Sequence, residues 1–354
     1  MDSYRSFIFF FVYVCLHEIV FMKTLTVFTP TYNRKHTICR TYESLCRQTS
    51  SDFDWLIIDD GSTDGTREWV ESLGKKIIDS GTSYDWMGRQ LHLSDDNHFV
   101  ILSSDSVSNI PLRIEYIYKP NGGLYTGYNT AYATIQTQLC VCIDSDDFMP
   151  DNSVEIIVKK WNYNLANCSN KKIELGGIVG LDFNVVNKEP IGGYFSEDNK
   201  LCYWEALRHT GDSKHVMRTD LMRSVAPQIG FQGERDFNPY YMLMQVCNEY
   251  QVLVVNENFC WVEYQTTGDS MSAGIWKQYV RSPRSYAKYR IMQMQMMHGI
   301  DFKRKLMLCI HYVSSCILSN DSDWLRKSPN KLMTFCVAPL GLVFTWVVKY
   351  KNRR

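Results

Sequence analysis

Leu139-Cys140-Val141-Cys142-Ile143-Asp144-Ser145-Asp146-Asp147 is the stretch on which the reading of this chain turns. The apolar run predicts a buried strand, and its end projects three carboxylates into one small space. Strand alternation puts Asp144 and Asp146 on the same side. Like charges so close are costly unless a cation or protons neutralise them. Hard oxygen donors with little sulfur or imidazole nearby favour Mg²⁺ or Mn²⁺, ions that commonly carry a substrate diphosphate. A solvated turn or a helix cap is the plain alternative for such a loop taken alone, so the decision rests on its surroundings.

Upstream, Thr24-Leu25-Thr26-Val27-Phe28 reads as a first buried strand running into the polar loop Thr29-Pro30-Thr31-Tyr32-Asn33-Arg34. Ile38, Tyr42, Leu45 and Cys46 then share one helical face. A second strand, Trp55-Leu56-Ile57-Ile58, ends in Asp59-Asp60-Gly61-Ser62-Thr63-Asp64, and another helix follows through Trp69, Val70 and Leu73. Strand, polar loop and helix in repetition predict a mostly parallel sheet flanked by helices, with ligands beyond the carboxyl ends of the strands. The glycine patterns of P-loop nucleotide-binding proteins and dinucleotide-binding dehydrogenases are both missing. A third strand near Ile114–Tyr118 instead leads into Lys119-Pro120-Asn121-Gly122-Gly123, where two glycines let backbone approach a ligand. Further strands are expected at Ile178–Leu181 and Gln251–Val255, and helices over about 276–318.

Phe28–Arg34, Ile57–Asp64, Asn121-Gly122-Gly123 and Asp144-Ser145-Asp146-Asp147, in this order, resemble the family 2 glycosyltransferases, inverting enzymes of the GT-A fold. Gly233-Glu234, Asn256-Glu257 and Val262-Glu263-Tyr264-Gln265 resemble the acceptor half of bacterial surface-polysaccharide members, so the likeness covers roughly residues 22–290. It implies a nucleotide-diphosphate sugar donor and a glycan or lipid-linked saccharide acceptor. It further implies that Thr29, Pro30 and Tyr32 line the base pocket, that Asp59, with Asp60 beside it, holds base or ribose, and that Asn121 and Gly122 border nucleotide and sugar. Asp144 would hold donor sugar or ribose, Asp146 would bind Mg²⁺ or Mn²⁺, and Asp147 is a second ligand or orients the sugar. Inverting transfer also needs a carboxylate to take the acceptor proton. Glu234 is the expected base and Asp236 the reserve, although Arg235 splits the adjacent acidic pair that the family usually carries. Two other readings stay open: a metal-dependent phosphohydrolase, which would want its aspartates on the first strand, and a catalytically silent sugar-nucleotide-binding module, which loss of Glu234 and Asp236 from the acceptor side would favour.

Balanced charge, 38 basic against 38 acidic residues, argues against general nucleic-acid binding. The 45% apolar content can bury a sizeable core, and the dispersed cysteines, without a Cys-x-x-Cys pair, read as reduced core residues of an intracellular enzyme. His209 and His215, flanking Asp212 and Lys214, are expected on the surface. The organisation expected is an extension outside the fold at residues 1–21, a GT-A domain over 22–270 with an insertion at 74–113, and a helical C-terminal extension over 271–354. In that extension the 332–348 segment is apolar and a basic tail follows. This predicts a cytoplasmic protein with peripheral contact to the inner membrane face, a buried terminal helix being the alternative. After the last strand, residues 264–272 are expected as a loop, with Lys277 and Arg281 closing over the diphosphate.

Overall fold

Every residue of β1 (Leu25–Thr31) and β2 (Phe53–Asp59) is buried: both strands are covered on both faces and have no solvent side. Alternation instead divides the residues between two cores. Leu25, Val27, Trp55, Ile57 and Val141 point into one, where helices α1 (Lys35–Cys46) and α4 (Ser153–Cys168) contribute Ile38, Leu45, Ile157 and Trp161. Phe28, Leu56, Ile58 and Cys140 point into the other, packed by α3 (Leu124–Thr134), α5 (Thr219–Val225) and α6 (Tyr240–Glu249) through Tyr132, Met222, Met242 and Val246.

The computed structural model describes residues 23–76, 83–84, 90–91, 97–107, 110–168, 175–263 and 275–353. The remaining strands are β3 (Lys75–Lys76), β4 (His98–Ser103), β5 (Leu112–Tyr118), β6 (Leu139–Cys142), β7 (Leu175–Asn184), β8 (Lys200–Cys202), β9 (Ser213–Arg218) and β10 (Gln251–Val262). They join β1 and β2 in one ten-stranded sheet of order β8-β10-β7-β9-β6-β1-β2-β5-β4-β3. β6, β1, β2 and β5 are mutually parallel, so their carboxyl ends meet at one edge. β9 is antiparallel to both β6 and β7, and β7 pairs parallel with β10. The start of β9 therefore lies beside the ends of β6 and β7, a neighbourhood that sequence order does not reveal.

Within the expected 74–113 insertion, β3 and β4 extend the sheet beyond β5, and Ser83–Tyr84 pairs with Gln90–Leu91. Short α2 (Thr66–Ser72) follows the β2 loop. At the other end α7 (Ile275–Arg281), α8 (Pro283–Gln295), α9 (Phe302–Leu318), α10 (Trp324–Lys327), α11 (Lys331–Cys336) and α12 (Ala338–Asn352) pack around Met294, Leu308, Tyr312 and Cys316, with Tyr279, Tyr286 and Val348 as a second small cluster. Ten of the described cysteines are unbridged, and of these Cys46, Cys140, Cys247, Cys260, Cys309 and Cys316 are buried. Residues 1–21 and the loop at 264–272 lie outside the described residues.

Candidate active site

The carboxyl ends of β1, β2 and β6 open onto a cavity of about 1070 Å³, ample for a nucleotide with its sugar. Pro30, Thr31 and Tyr32 from the β1 loop form part of its wall, Asp60 and Asn121 another, and Asp144, Ser145, Asp146 and Asp147 the middle. Phe28, Tyr128 and Tyr132, in edge-to-face contact, lie among its apolar lining. Of the residues expected to hold a donor, Pro30, Tyr32, Asp60, Asn121, Asp144 and Asp147 line the cavity, as does Asp146. Thr29 and Asp59 do not. The Thr29 hydroxyl accepts from Trp55 Nε1 at 3.0 Å, and the fully buried Asp59 carboxylate accepts from Tyr116 Oη at 2.6 Å and Ser62 N at 2.7 Å. Being at the end of β2, Asp59 points into the core while Asp60, one residue on, faces the cavity.

Asp60 shapes that wall. Its oxygens accept from the backbone N–H groups of Gly122 at 3.0 Å and Gly123 at 2.9 Å and pair with Lys119, tying the β2 loop to the loop before α3. Gly122 acts through that N–H rather than as lining. Gly123 has φ of 92°, and a Cβ there would meet the Arg235 carbonyl oxygen at 2.5 Å, so only glycine fits both the left-handed backbone and the close approach. None of the described residues of the 74–113 segment lines the cavity.

The acidic turn is held from behind by α1. Thr41 Oγ1 donates to the Asp147 carbonyl at 2.7 Å, and Arg40, paired with Glu263, donates to the Asp146 carbonyl at 3.0 Å. In front sits Lys214, the residue that sequence reasoning passed over. Its ammonium lies 3.2 Å from Asp147 Oδ2, 3.8 Å from Asp182 Oδ2 and 3.9 Å from Asp144 Oδ2. Burial opposes that charge, but Asp182, Cys260, Asp147 and Asp144 outweigh it and hold the Lys214 ammonium protonated well above its usual range. Burial likewise pushes the Asp147 carboxyl up to about 6 and the Asp182 carboxyl up to about 7, each moderated by Lys214. Asp146 differs from these. Its carboxylate makes no hydrogen bond or ion pair among the described residues and stands on the cavity wall.

The same cavity is also lined by Trp204, Glu205, His209, Asp212, His215 and Tyr240. The two histidines are therefore not ordinary surface residues. His215 packs edge-on to Trp204 at 4.7 Å and His209 edge-on to Phe195 at 4.7 Å. Burial lowers both, His215 to about 3, so both rings are neutral near pH 7. A histidine lowered in the folded state stabilises fully above its unfolded value near 6.5, and that contribution is lost as pH falls below it. Between pH 7 and pH 5.5 His215 should thus cost roughly 1 kcal/mol. Aspartates raised by burial, such as Asp182, drift the opposite way, so the expected result is a difference: His215→Gln loses about 1 kcal/mol less than the parent over that interval in urea melts. Parallel pH profiles for the two proteins would show that His215 is not held neutral.

Glu234 and Asp236 are not among the cavity-lining residues. Glu234 Oε1 accepts from Arg284 N and Nε, both at 3.0 Å, and Oε2 accepts from Ser285 N at 2.8 Å and Ser285 Oγ at 2.7 Å. A carboxylate offers about four lone-pair sites, and here all are taken. Asp236 is clamped by Arg281 on both oxygens and accepts from Ser282 Oγ at 2.8 Å. The split acidic motif thus caps the first turn of α8, and Arg281, expected over the diphosphate, is occupied with Asp236. In this arrangement Glu234 has no lone-pair site left for an acceptor hydroxyl, and both oxygens of Asp236 are engaged by Arg281.

The model of the Glycosyl transferase family 2 matches residues 26–89 and 90–211, more than half of the chain. WfgD of Escherichia coli, a UDP-Glc:alpha-D-GlcNAc-diphosphoundecaprenol beta-1,3-glucosyltransferase, is 22% identical over 257 residues, which cover 73% of this chain and 83% of that protein. Chondroitin synthase of Pasteurella multocida is 26% identical over 137 residues, 39% of this chain but 11% of the synthase. Among solved structures, S. aureus TarS 1-349 in complex with UDP-GlcNAc superposes with a TM-score of 0.54 at 14% identity, covering 93% of this chain and 91% of that one. At that identity the likeness is one of fold.

Proposed function

The chain belongs to glycosyl transferase family 2, and on that premise we propose that it moves a sugar, with inversion, from a nucleotide-diphosphate sugar to a glycan or lipid-linked saccharide during polysaccharide synthesis. The observation that carries this reading is one cavity whose wall holds Pro30, Tyr32, Asp60 and Asn121, from the ends of β1, β2 and β5, on one side of Asp144 and Asp146 in the sheet order, and Lys214 and His215, from β9, on the other. It has room for a donor and for the acceptor that attacks it. WfgD is a UDP-Glc-dependent glucosyltransferase and TarS 1-349 is solved in complex with UDP-GlcNAc, which makes a uridine nucleotide the first donor to try.

The same wall bears on the metal. Among the described residues no group of three or more His, Cys, Asp or Glu side chains is arranged to hold an ion. Mg²⁺, however, is commonly held by one or two carboxylates and completed by substrate phosphates and water, and Asp146 with Asp144 offers that donor set. We propose that these two would hold Mg²⁺ or Mn²⁺ together with the diphosphate; when bound, such an ion supplies positive charge to the departing group. Lys214 compensates Asp147 and Asp182, leaving the outward carboxylate of Asp146 to the ligand.

In the transfer itself the acceptor oxygen bonds to the anomeric carbon from the face opposite the diphosphate as the carbon–diphosphate bond breaks. The acceptor proton passes to a carboxylate. We place that base among the acidic residues that line the cavity, of which Asp212 is exposed, rather than at Glu234 or Asp236. The placement of those two is also what favours a second reading, a sugar-nucleotide-binding module without transfer. One experiment separates the readings. Nucleoside-diphosphate sugars screened with Mn²⁺ by thermal shift should include one that stabilises the protein, by about 2.7 kcal/mol at a hundredfold excess over its Kd, and that is turned over when oligosaccharide or lipid-linked acceptors are added. Stabilisation without turnover by any acceptor would leave the binding module. No stabilisation by any sugar nucleotide would remove both readings.

A further inference from the structure

The last two helices are built with their large apolar side chains outward. α12 turns Gly341, Thr345 and Val348 inward: a Cβ on Gly341 would lie 2.5 Å from Val313 Cγ1, Thr345 Oγ1 donates to Ser314 Oγ at 3.0 Å, and Val348 is fully buried. Leu342, Val343 and Trp346 are 59%, 60% and 68% exposed, and on α11 Leu332 and Phe335 are 78% and 63% exposed. A helix that merely covers a core puts its large apolar residues inward, and clustered apolar side chains left in water mark an interaction surface.

Charge says what the partner is. Residues 324–354 carry Lys or Arg at 326, 327, 331, 349, 351, 353 and 354, and no acidic residue at all. Lys331, Lys349, Lys351 and Arg353 are exposed on the same two helices or just after them. Against a second copy of this face those charges would repel; against anionic headgroups they attract. Among the described residues no helix is long and apolar enough to cross a membrane, and the 15 residues of α12 span roughly 22 Å where the hydrocarbon layer is about 30 Å thick. We propose that α11 and α12 form a docking face for a bilayer containing anionic phospholipid, with Phe335, Leu342 and Trp346 seated at the acyl boundary and Lys349, Lys351 and Arg353 on the headgroups. The face goes beyond the sugar-transfer reading and does not depend on it, since no residue after Arg304 lines the cavity.

The test uses the full chain and vesicles of phosphatidylcholine with or without 30% phosphatidylglycerol, without any sugar nucleotide. Flotation should show binding at least tenfold tighter with phosphatidylglycerol, and weaker binding at high salt. A Lys349→Gln/Lys351→Gln pair should weaken it about 25-fold, roughly fivefold per charge. A Leu342→Ser/Trp346→Ser pair should weaken it at least tenfold with the unfolding temperature unchanged, because both side chains are exposed. The proposal is overturned if the parent floats with neither vesicle, if the serine pair binds like the parent, or if the parent is a dimer that the serine pair dissolves, which would make a second copy the occupant.

Discussion

Asp146→Ala should slow sugar transfer about a thousandfold, roughly 4 kcal/mol of barrier, and abolish the Mn²⁺ dependence of nucleotide binding, with the unfolding temperature unchanged or slightly raised. The size follows from what the carboxylate faces. The departing diphosphate gathers negative charge, and among the cations that line the cavity Lys214 is engaged with Asp147, Asp182 and Asp144, Arg208 with Asp301 and Arg304 with Glu205, while Arg34 stands on the β1 loop. A cation held by Asp146 is the compensation on which the proposed mechanism relies at the acidic turn. The stability expectation follows from the same geometry, because Asp146 makes no ion pair among the described residues and its charge adds to the repulsion at Asp147. Initial rates with the donor found by screening, and nucleotide titrations with and without Mn²⁺, measure both quantities. A variant within tenfold of the parent rate would remove the metal from Asp146.

How much of this was legible follows from which contacts are local. Each of β1, β2 and β6 is a buried strand ending in polar residues, and strand, loop and helix are consecutive in the chain, so the parallel half of the sheet and the acidic turn at 144–147 could be read directly. Side-chain direction at a strand end is harder to read. Asp59 and Asp60 differ by one position, and alternation sends the first to Tyr116 and the second to the cavity. Lys214 and Asp182 could not be read at all, because they reach Asp147 only through the antiparallel insertion of β9 between β6 and β7. His209 and His215 failed for the same reason, since what buries them is Trp204 and Phe195, neither of which belongs to the β9 strand.

The acidic pair after Gly233 yields the second large expectation. Glu234→Gln should lower stability by about 2 to 3 kcal/mol, roughly 3 to 4 °C in melting temperature for a chain of this length, while the folded fraction keeps its turnover within a few-fold. Glu234 is 7% exposed, and its four bonds fasten residues 231–236 to the first turn of α8 some fifty positions later. The amide keeps the shape but exchanges one charged acceptor for a donor. That donor would face N–H or O–H groups of Arg284 or Ser285, leaving a buried clash of donors. Arg284 is 45% exposed and can rehydrate, which holds the cost near the lower end of the range for a broken buried pair. The effect on catalysis should be small, because the carboxylate touches no cavity atom. Removing a general base, by contrast, costs about a hundredfold to ten-thousandfold in rate with little change in melting. Thermal unfolding and single-turnover transfer on the same preparation separate the outcomes. A variant that melts with the parent yet transfers a thousandfold more slowly would return the base to Glu234 and require the loop at 231–236 to swing its carboxylate into the cavity when both substrates bind.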